Sequence, residues 1–320
     1  MSSKPSPAHH AGRPLTLGAV ALMLLCCLSW GFNQIAVKLV LPEIPPFLQA
    51  TIRSSGALVV ILLVAWSRNV KLFQRDGTLK AGLFAGVLFG LEFVLIYRGL
   101  LLTTASRAAV FLYTAPFFVA LGSYHFLHER LRRLQWAGLA LSFAGVALAI
   151  GVPQPNVDAS VLLGDLMLVG GGALWAATTL IVKSTALGRA PAEKGLGYQV
   201  AISIPILAAA AWLADETIPA MPGPLSLALM AYQAIWVVGL TFLIWFGLIK
   251  TYSASTLSAF TFITPLFGVA AGYVVMHDPL TPAFGVAALL VIAGLYLVNR
   301  PAKSSAPIPA GSIAPDSKAG

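Results

Sequence analysis

The chain has 320 residues, 58% of them hydrophobic and only 10% charged, against roughly 25% charged in soluble domains. That balance excludes a water-soluble globule, which has no means of hiding so much apolar surface, and a disordered chain, which would be poor in Leu, Val, Ile and Phe. Long apolar runs exclude an outer-membrane barrel, whose strands alternate polar and apolar residues, and the formal charge of +9 raises the question of where the 20 Lys and Arg lie.

A membrane-spanning helix needs about 20 mostly apolar residues. The chain offers ten such runs, at about 16–40, 46–66, 79–101, 106–127, 134–151, 161–184, 195–214, 225–250, 255–276 and 282–299. The stretches 1–15 and 300–320 are rich in Ser, Pro, Ala and Lys and read as disordered tails. The first run is too long for a signal peptide and passes into Asn33, Gln34 and Lys38 without a small-residue cleavage pattern. Within it, Cys26 and Cys27 are adjacent, which precludes an ordinary disulfide and offers no metal spacing; they read as small packing residues.

Alternating the ten spans sorts the basic residues. Sixteen of the 20 fall at the end where the chain begins, and the loops at 151–160, 215–224 and 277–281 carry none. Lys38, Arg53, Arg98 and Arg107 remain, read as lying near helix ends on the opposite side. By the positive-inside rule both termini are cytoplasmic. The charge excess is then a topology signal, and no basic cluster is interleaved with aromatics as a nucleic-acid surface would be.

The sequence also repeats itself. A shift of 149 residues aligns Gly90-Leu91-x-Phe93 with Gly239-Leu240-x-Phe242, Ala105-Ser106 with Ala254-Ser255, Pro116-x-Phe118 with Pro265-x-Phe267 and His128 with His277. At that register 15 of the 60 positions from 89 to 148 are identical. Trp30-x7-Lys38 matches Trp175-x7-Lys183 at a shift of 145. The expected organisation is therefore an all-α membrane protein of two five-helix halves, 16–151 and 161–299. Five is odd, so the second half enters the membrane from the opposite side, an inverted repeat of the kind secondary transporters use for alternating access around a midplane site.

Candidate site residues follow from helical spacing. Trp30, Gln34 and Lys38 share one face of the first span, flanked by Asn33; Trp175, Thr179 and Lys183 share the matching face of the sixth, flanked by Thr178. Polar groups in hydrocarbon face a bundle interior or a wet cavity, so the stripes point to a shared cavity, with interfacial anchoring as the alternative. Pro116 and Pro265 fall near the middle of matched helices and read as hinges, with Tyr113 and Phe262 three residues earlier as an aromatic gate. Glu92 reads as the only carboxylate well inside a span, a candidate proton carrier or amine partner, with structural pairing to Arg53 as the alternative. Gly82, Gly86 and Gly90 form a GxxxGxxxG face suited to close packing within a monomer or a weak homodimer.

Other chemistries lack their motifs: there is no GxxxxGK[ST] for an ATPase, no GxSG, and His125-x-x-His128-Glu129 is not HExxH. No cofactor, metal or enzyme activity is expected.

Leu28-Ser29-Trp30-Gly31-Phe32-Asn33 with Lys38, Thr104-Ala105-Ser106 through Pro116 to His128-Glu129-Arg130-Leu131, and Ser253-Ala254-Ser255 through Pro265 to His277-Asp278-Pro279-Leu280 resemble the EamA domain of the drug/metabolite transporter superfamily, twice over. The resemblance implies ten helices, five plus five inverted, in a bacterial inner (plasma) membrane. It also implies movement of small metabolites, most like the exporters of aromatic amino acids (YddG-like). In that reading Trp30, Tyr97, Tyr113, Trp175, Trp245 and Phe262 supply apolar walls, Asn33, Gln34, Thr178 and Thr179 orient a polar head, and protons are a candidate coupling ion. A passive channel or uniporter, and a membrane enzyme, stand as alternatives.

Overall fold

The computed structural model of the chain describes residues 15–103, 110–150, 158–277 and 282–300. Both tails, Arg107 with the Thr104-Ala105-Ser106 segment, most of the 151–160 loop and Asp278-Pro279-Leu280 lie outside the described residues. The described residues form helices and turns, without strands. In chain order the helices are α1 (Leu17–Val40), α2 (Pro46–Ser67), α3 (Leu79–Leu102), α4 (Val110–Phe126), α5 (Arg133–Ala149), α6 (Ala159–Ser184), α7 (Ala192–Leu213), α8 (Pro224–Thr251), α9 (Ala254–Met276) and α10 (Ala283–Asn299). Seven are long and apolar enough to cross a membrane; α4, α5 and α10 are shorter apolar helices.

Helix boundaries follow local chemistry. Thr16 starts α1 by accepting the Ala19 N–H on its hydroxyl at 3.2 Å. Helix α7 begins three residues before the expected run, because hydropathy stops at Glu193 and Lys194 whereas pairing admits them. Glu193 accepts from Arg68 at 3.0 Å, and Lys194 reaches Asp76 at 2.8 Å and the Gln74 carbonyl at 2.6 Å. The Lys194 ammonium, with the Thr78 hydroxyl, pulls the Asp76 carboxyl down to about 2.

Without a hydrophobic force between helices in lipid, close van der Waals contact holds the bundle together. The Gly82-Gly86-Gly90 face meets α7 within the same chain. A Cβ on Gly86 would stand 2.7 Å from Ile202 Cβ and 2.8 Å from the Tyr198 carbonyl oxygen, and one on Gly90 would stand 2.7 Å from Ile206 Cδ1. This small-residue face is consumed inside the monomer.

Helix α3 packs on α6 and α7, α2 on α7 and α8, α1 on α8 and α9, α4 on α6, and α5 on α10. Exchanging the first five helices with the last five reproduces this set of pairings. The ends of α2 and α7 also match in backbone detail: Asn69 (φ 53°) and Asp215 (φ 50°) turn left-handed, while Val70 N–H reaches the Ala65 carbonyl at 2.8 Å and Glu216 N–H the Ala211 carbonyl at 3.0 Å. His128 (φ 56°) and His277 (φ 59°) do the same after α4 and α9.

Helices α4 and α9 are interrupted, at Tyr113–Thr114 and at the 3₁₀ turn Thr261–Ile263. Each restarts with a proline in its first turn, Pro116 and Pro265. The prolines therefore do not kink a continuous helix, as their mid-run position had implied. They begin a second piece, where a missing N–H leaves no orphaned carbonyl.

Candidate functional site

Eight rings form an unbroken row through the bundle. Successive centroids are 5.9 Å apart for Phe47–Tyr97, 6.2 Å for Tyr97–Phe93, 5.1 Å for Phe93–Phe89 and 6.3 Å for Phe89–Phe242. The row continues at 5.8 Å for Phe242–Trp30, 5.8 Å for Trp30–Trp245 and 6.2 Å for Trp245–Trp175. Most contacts are edge-to-face, the arrangement ring quadrupoles favour. The row starts at the first turn of α2, crosses α3, α8 and α1, and ends on α6, so both halves of the sequence repeat contribute. The paired tryptophans Trp30 and Trp175 both contact Trp245.

Helix α1 is stitched to α8 along this row. Trp30 Nε1–H donates to Thr241 Oγ1 at 2.8 Å, Tyr232 O–H to the Ser29 carbonyl at 2.9 Å, and Trp236 Nε1–H to Ser29 Oγ at 2.9 Å. The acceptors and donors on α8 lie in a π-helical stretch, Tyr232–Thr241, a wide-turn geometry that recurs at functional sites. Cys26 and Cys27 are fully buried here, their thiols directed at the Thr241 and Phe260 carbonyls.

The polar members of the two stripes part company. Asn33 is half-buried with Oδ1 unpartnered, whereas Gln34 and Lys38 are exposed. On α6, Thr178 and Thr179 are buried, and the Thr178 hydroxyl donates to the Trp175 carbonyl at 2.8 Å. Lys183 pairs with Glu129 at 3.0 Å and donates to the Tyr252 carbonyl. Glu129 also accepts from Ser253 Oγ at 2.8 Å, Ser255 Oγ at 3.2 Å and the Ala254 N–H at 3.3 Å, capping the start of α9. Tyr113 and Phe262 are buried in a separate apolar cluster, where Phe262 touches Phe117 and Phe143 and stands apart from the Trp30 row.

Two expectations about charge need correction. Arg53 does not sit at a helix end: it is 3% exposed, with its guanidinium 4.4 Å over the Phe93 ring. Glu92 is buried, but it is not the only carboxylate inside a helix, because Asp165 lies two turns into α6, is buried, and accepts the Thr103 hydroxyl at 2.9 Å.

The sequence pattern of the EamA-like transporter family matches the chain twice, over residues 17–151 and 162–300. The chain belongs to the EamA-like transporter family. It is 23% identical to the "Uncharacterized transporter YoaV" of Bacillus subtilis, over 88% of this chain and 95% of that one. It is 27% identical to the "Probable amino-acid metabolite efflux pump" of Salmonella typhimurium, over 86% of this chain and 93% of that one. A crystal structure with 19% identity superposes with a TM-score of 0.74, covering 88% of this chain and 96% of that chain, and shares the fold. As an EamA-like transporter the chain is a multi-pass protein of the inner (plasma) membrane, acting on small molecules.

Sequence reasoning missed four rings of the row: Phe47, Phe89, Phe93 and Phe242. The last two stand in the matched Gly-Leu-x-Phe segments, so the repeat itself held a signal for them. Among the described residues, no three His, Cys, Asp or Glu side chains converge to hold a metal ion.

Proposed function

We propose that the chain exports amino acids, aromatic ones among them, or similar small amphiphilic metabolites, by alternating access and without covalent chemistry. In this reading ten helices cross the membrane as two inverted halves, 16–151 and 161–299, with both termini in the cytoplasm. The observation that carries it is the row of rings shared by both halves, on which the repeat-matched Trp30 and Trp175 converge. An apolar aromatic lining with few polar groups suits an amphiphile with a flat side chain.

Three further observations support the reading. The helix pairings survive exchange of the halves, as a repeat built to alternate requires. The broken helices α4 and α9 restart at matched prolines, Pro116 and Pro265, which this reading takes as hinges. One relative is named an amino-acid metabolite efflux pump. Asn33, Gln34, Thr178 and Thr179 offer further polar contacts along the path, which Tyr97 and Trp245 line, while Tyr113 and Phe262 sit in their own apolar cluster beside it. Lys38 and Lys183 flank the two ends of the path, and Glu92, buried inside α3, is the candidate proton carrier or amine partner.

The test is a panel of labelled amino acids in proteoliposomes, with and without a proton gradient. Saturable movement of an aromatic amino acid is expected. Unsaturable leakage of unrelated solutes would instead establish a channel.

A further inference from the structure

Arg53 and Glu92 bring two ionisable side chains into the bundle interior. Both are buried, at 3% and 6% exposure, and Arg53 is the charge that faces Glu92. Even so, among the described residues no ion pair within 4.0 Å joins them. Arg53 Nε and Nη2 have no acceptor, and Glu92 Oε2 has no donor. Buried polar atoms with no protein partner are satisfied by water or by a ligand, and a bare charge in a membrane interior marks a functional position.

The identity of the two free nitrogens is informative. Nε–H and one Nη2–H point the same way along one edge of the guanidinium, and that edge is the fork that takes a carboxylate side-on through two parallel hydrogen bonds. The guanidinium carbon stands 4.4 Å over the Phe93 ring, which holds the fork beside that ring. Gln49, one turn earlier on the same face of α2, is fully buried and leaves its Oε1 acceptor free. Phe93 also belongs to the aromatic row, with Tyr97 and Phe89 as its neighbours. A head group held at Arg53 would therefore lay an attached ring onto that row.

We propose that Arg53 receives the substrate carboxylate on its Nε–Nη2 edge while Glu92 receives the substrate ammonium, so that this site selects zwitterions. The inference rests on the amino-acid export reading and names its substrate class. With a zwitterion bound, the guanidinium of Arg53 and a carboxylate at Glu92 each face one opposite charge, so the loaded site carries no net charge. Loading and unloading then move no net charge into the bilayer interior, whereas a lone acid or a lone amine leaves one protein charge unmatched. The pair is confined to one half of the chain: the shift of 149 puts Thr241 in the place of Glu92, and the shift that aligns Ala65-Trp66 with Ala211-Trp212 puts Gln199 in the place of Arg53.

The experiment measures binding to purified, reconstituted full-length protein of three probes: phenylalanine, phenethylamine, which lacks the carboxylate, and 3-phenylpropionate, which lacks the ammonium. The parent protein is expected to bind phenylalanine at least tenfold more tightly than either analogue, the loss of a charged hydrogen-bonded contact. Arg53→Gln is expected to lose that preference while retaining phenethylamine. Glu92→Gln is expected to lose phenethylamine while retaining 3-phenylpropionate. Arg53→Lys keeps the charge and the fold but removes the fork, and is expected to weaken phenylalanine binding without reversing the order. Unchanged phenylalanine affinity in all three variants, or parent protein that binds the analogues equally well, overturns the zwitterion site alone. Parent protein that neither binds nor transports any amino acid overturns the export reading, and the site with it.

Discussion

Trp30 donates its indole N–H to Thr241 at 2.8 Å, and Thr241 occupies in the second half the place that Glu92 holds in the first. The hydrogen bond fixes the ring that joins Phe242 to Trp245, so it sets the course of the aromatic row. Thr241→Val keeps the shape and removes the acceptor. A lost hydrogen bond of this kind costs about 1 kcal/mol, so transport KM in proteoliposomes is expected to rise about fivefold with expression unchanged. Trp30→Ala and Trp175→Ala remove the rings themselves and are expected to cut transport far more than they cut folded yield. Equal loss of both quantities would make these tryptophans structural.

The α3–α7 contact separates two kinds of crowding. An alanine at position 86 meets Ile202 Cβ and a backbone oxygen, neither of which yields, whereas one at position 90 meets chiefly the tip of Ile206. Overpacking costs about 1–3 kcal/mol. Gly86→Ala is expected to lower the thermal midpoint in detergent more than Gly90→Ala does. Ile206→Val should rescue Gly90→Ala, and Ile202→Val should leave Gly86→Ala unrescued.

At the end where α1 begins, Glu129 gathers Lys183 and the start of α9 into one network. Hydrogen bonds to charged groups are worth about 1.5–3 kcal/mol, enough to move a two-state balance at least tenfold. Glu129→Gln is expected to open this end. Cys26 and Cys27, free and fully buried in the parent, report it: their alkylation by N-ethylmaleimide should accelerate by about that factor. An unchanged rate would show that the network does not hold this end shut.

The Asp76 carboxyl sits at about 2 because Lys194 and Thr78 bind its charged form, below the roughly 3.9 of an unfolded aspartate. Its contribution to stability is therefore full above about pH 4 and disappears as pH falls through about 2. Thermal midpoints of Asp76→Asn and the parent should differ by a constant amount from pH 8 to 5. That gap should begin to close only below about pH 4. A gap that closes between pH 8 and 6 would assign the effect to another group.

Much of the helix layout was legible because lipid demands long apolar runs, and the runs were there to count. The same demand obscured the site. When every face of a helix is apolar, periodicity no longer says which rings look inward, so Phe47 and Phe89 were indistinguishable from lipid-facing neighbours. The tryptophans of the row stood out because they are rare and repeat with lysines at fixed spacing. Arg53 was misplaced because any base within a few turns of a helix end resembles an interfacial anchor; only its contact with Phe93 reveals that it points inward. Asp165 was passed over because it lies within two turns of the start of α6.

The ten π-helical residues from Tyr232 to Thr241 set the rotation of the rest of α8. Each turn there encloses more residues than an α turn, so relaxing the stretch to α geometry would wind everything beyond it around the axis of α8. Trp245 would swing away from Trp30 and Trp175 while the start of the helix stayed in place. The winding of this one helix therefore determines how the rings contributed by the two halves meet.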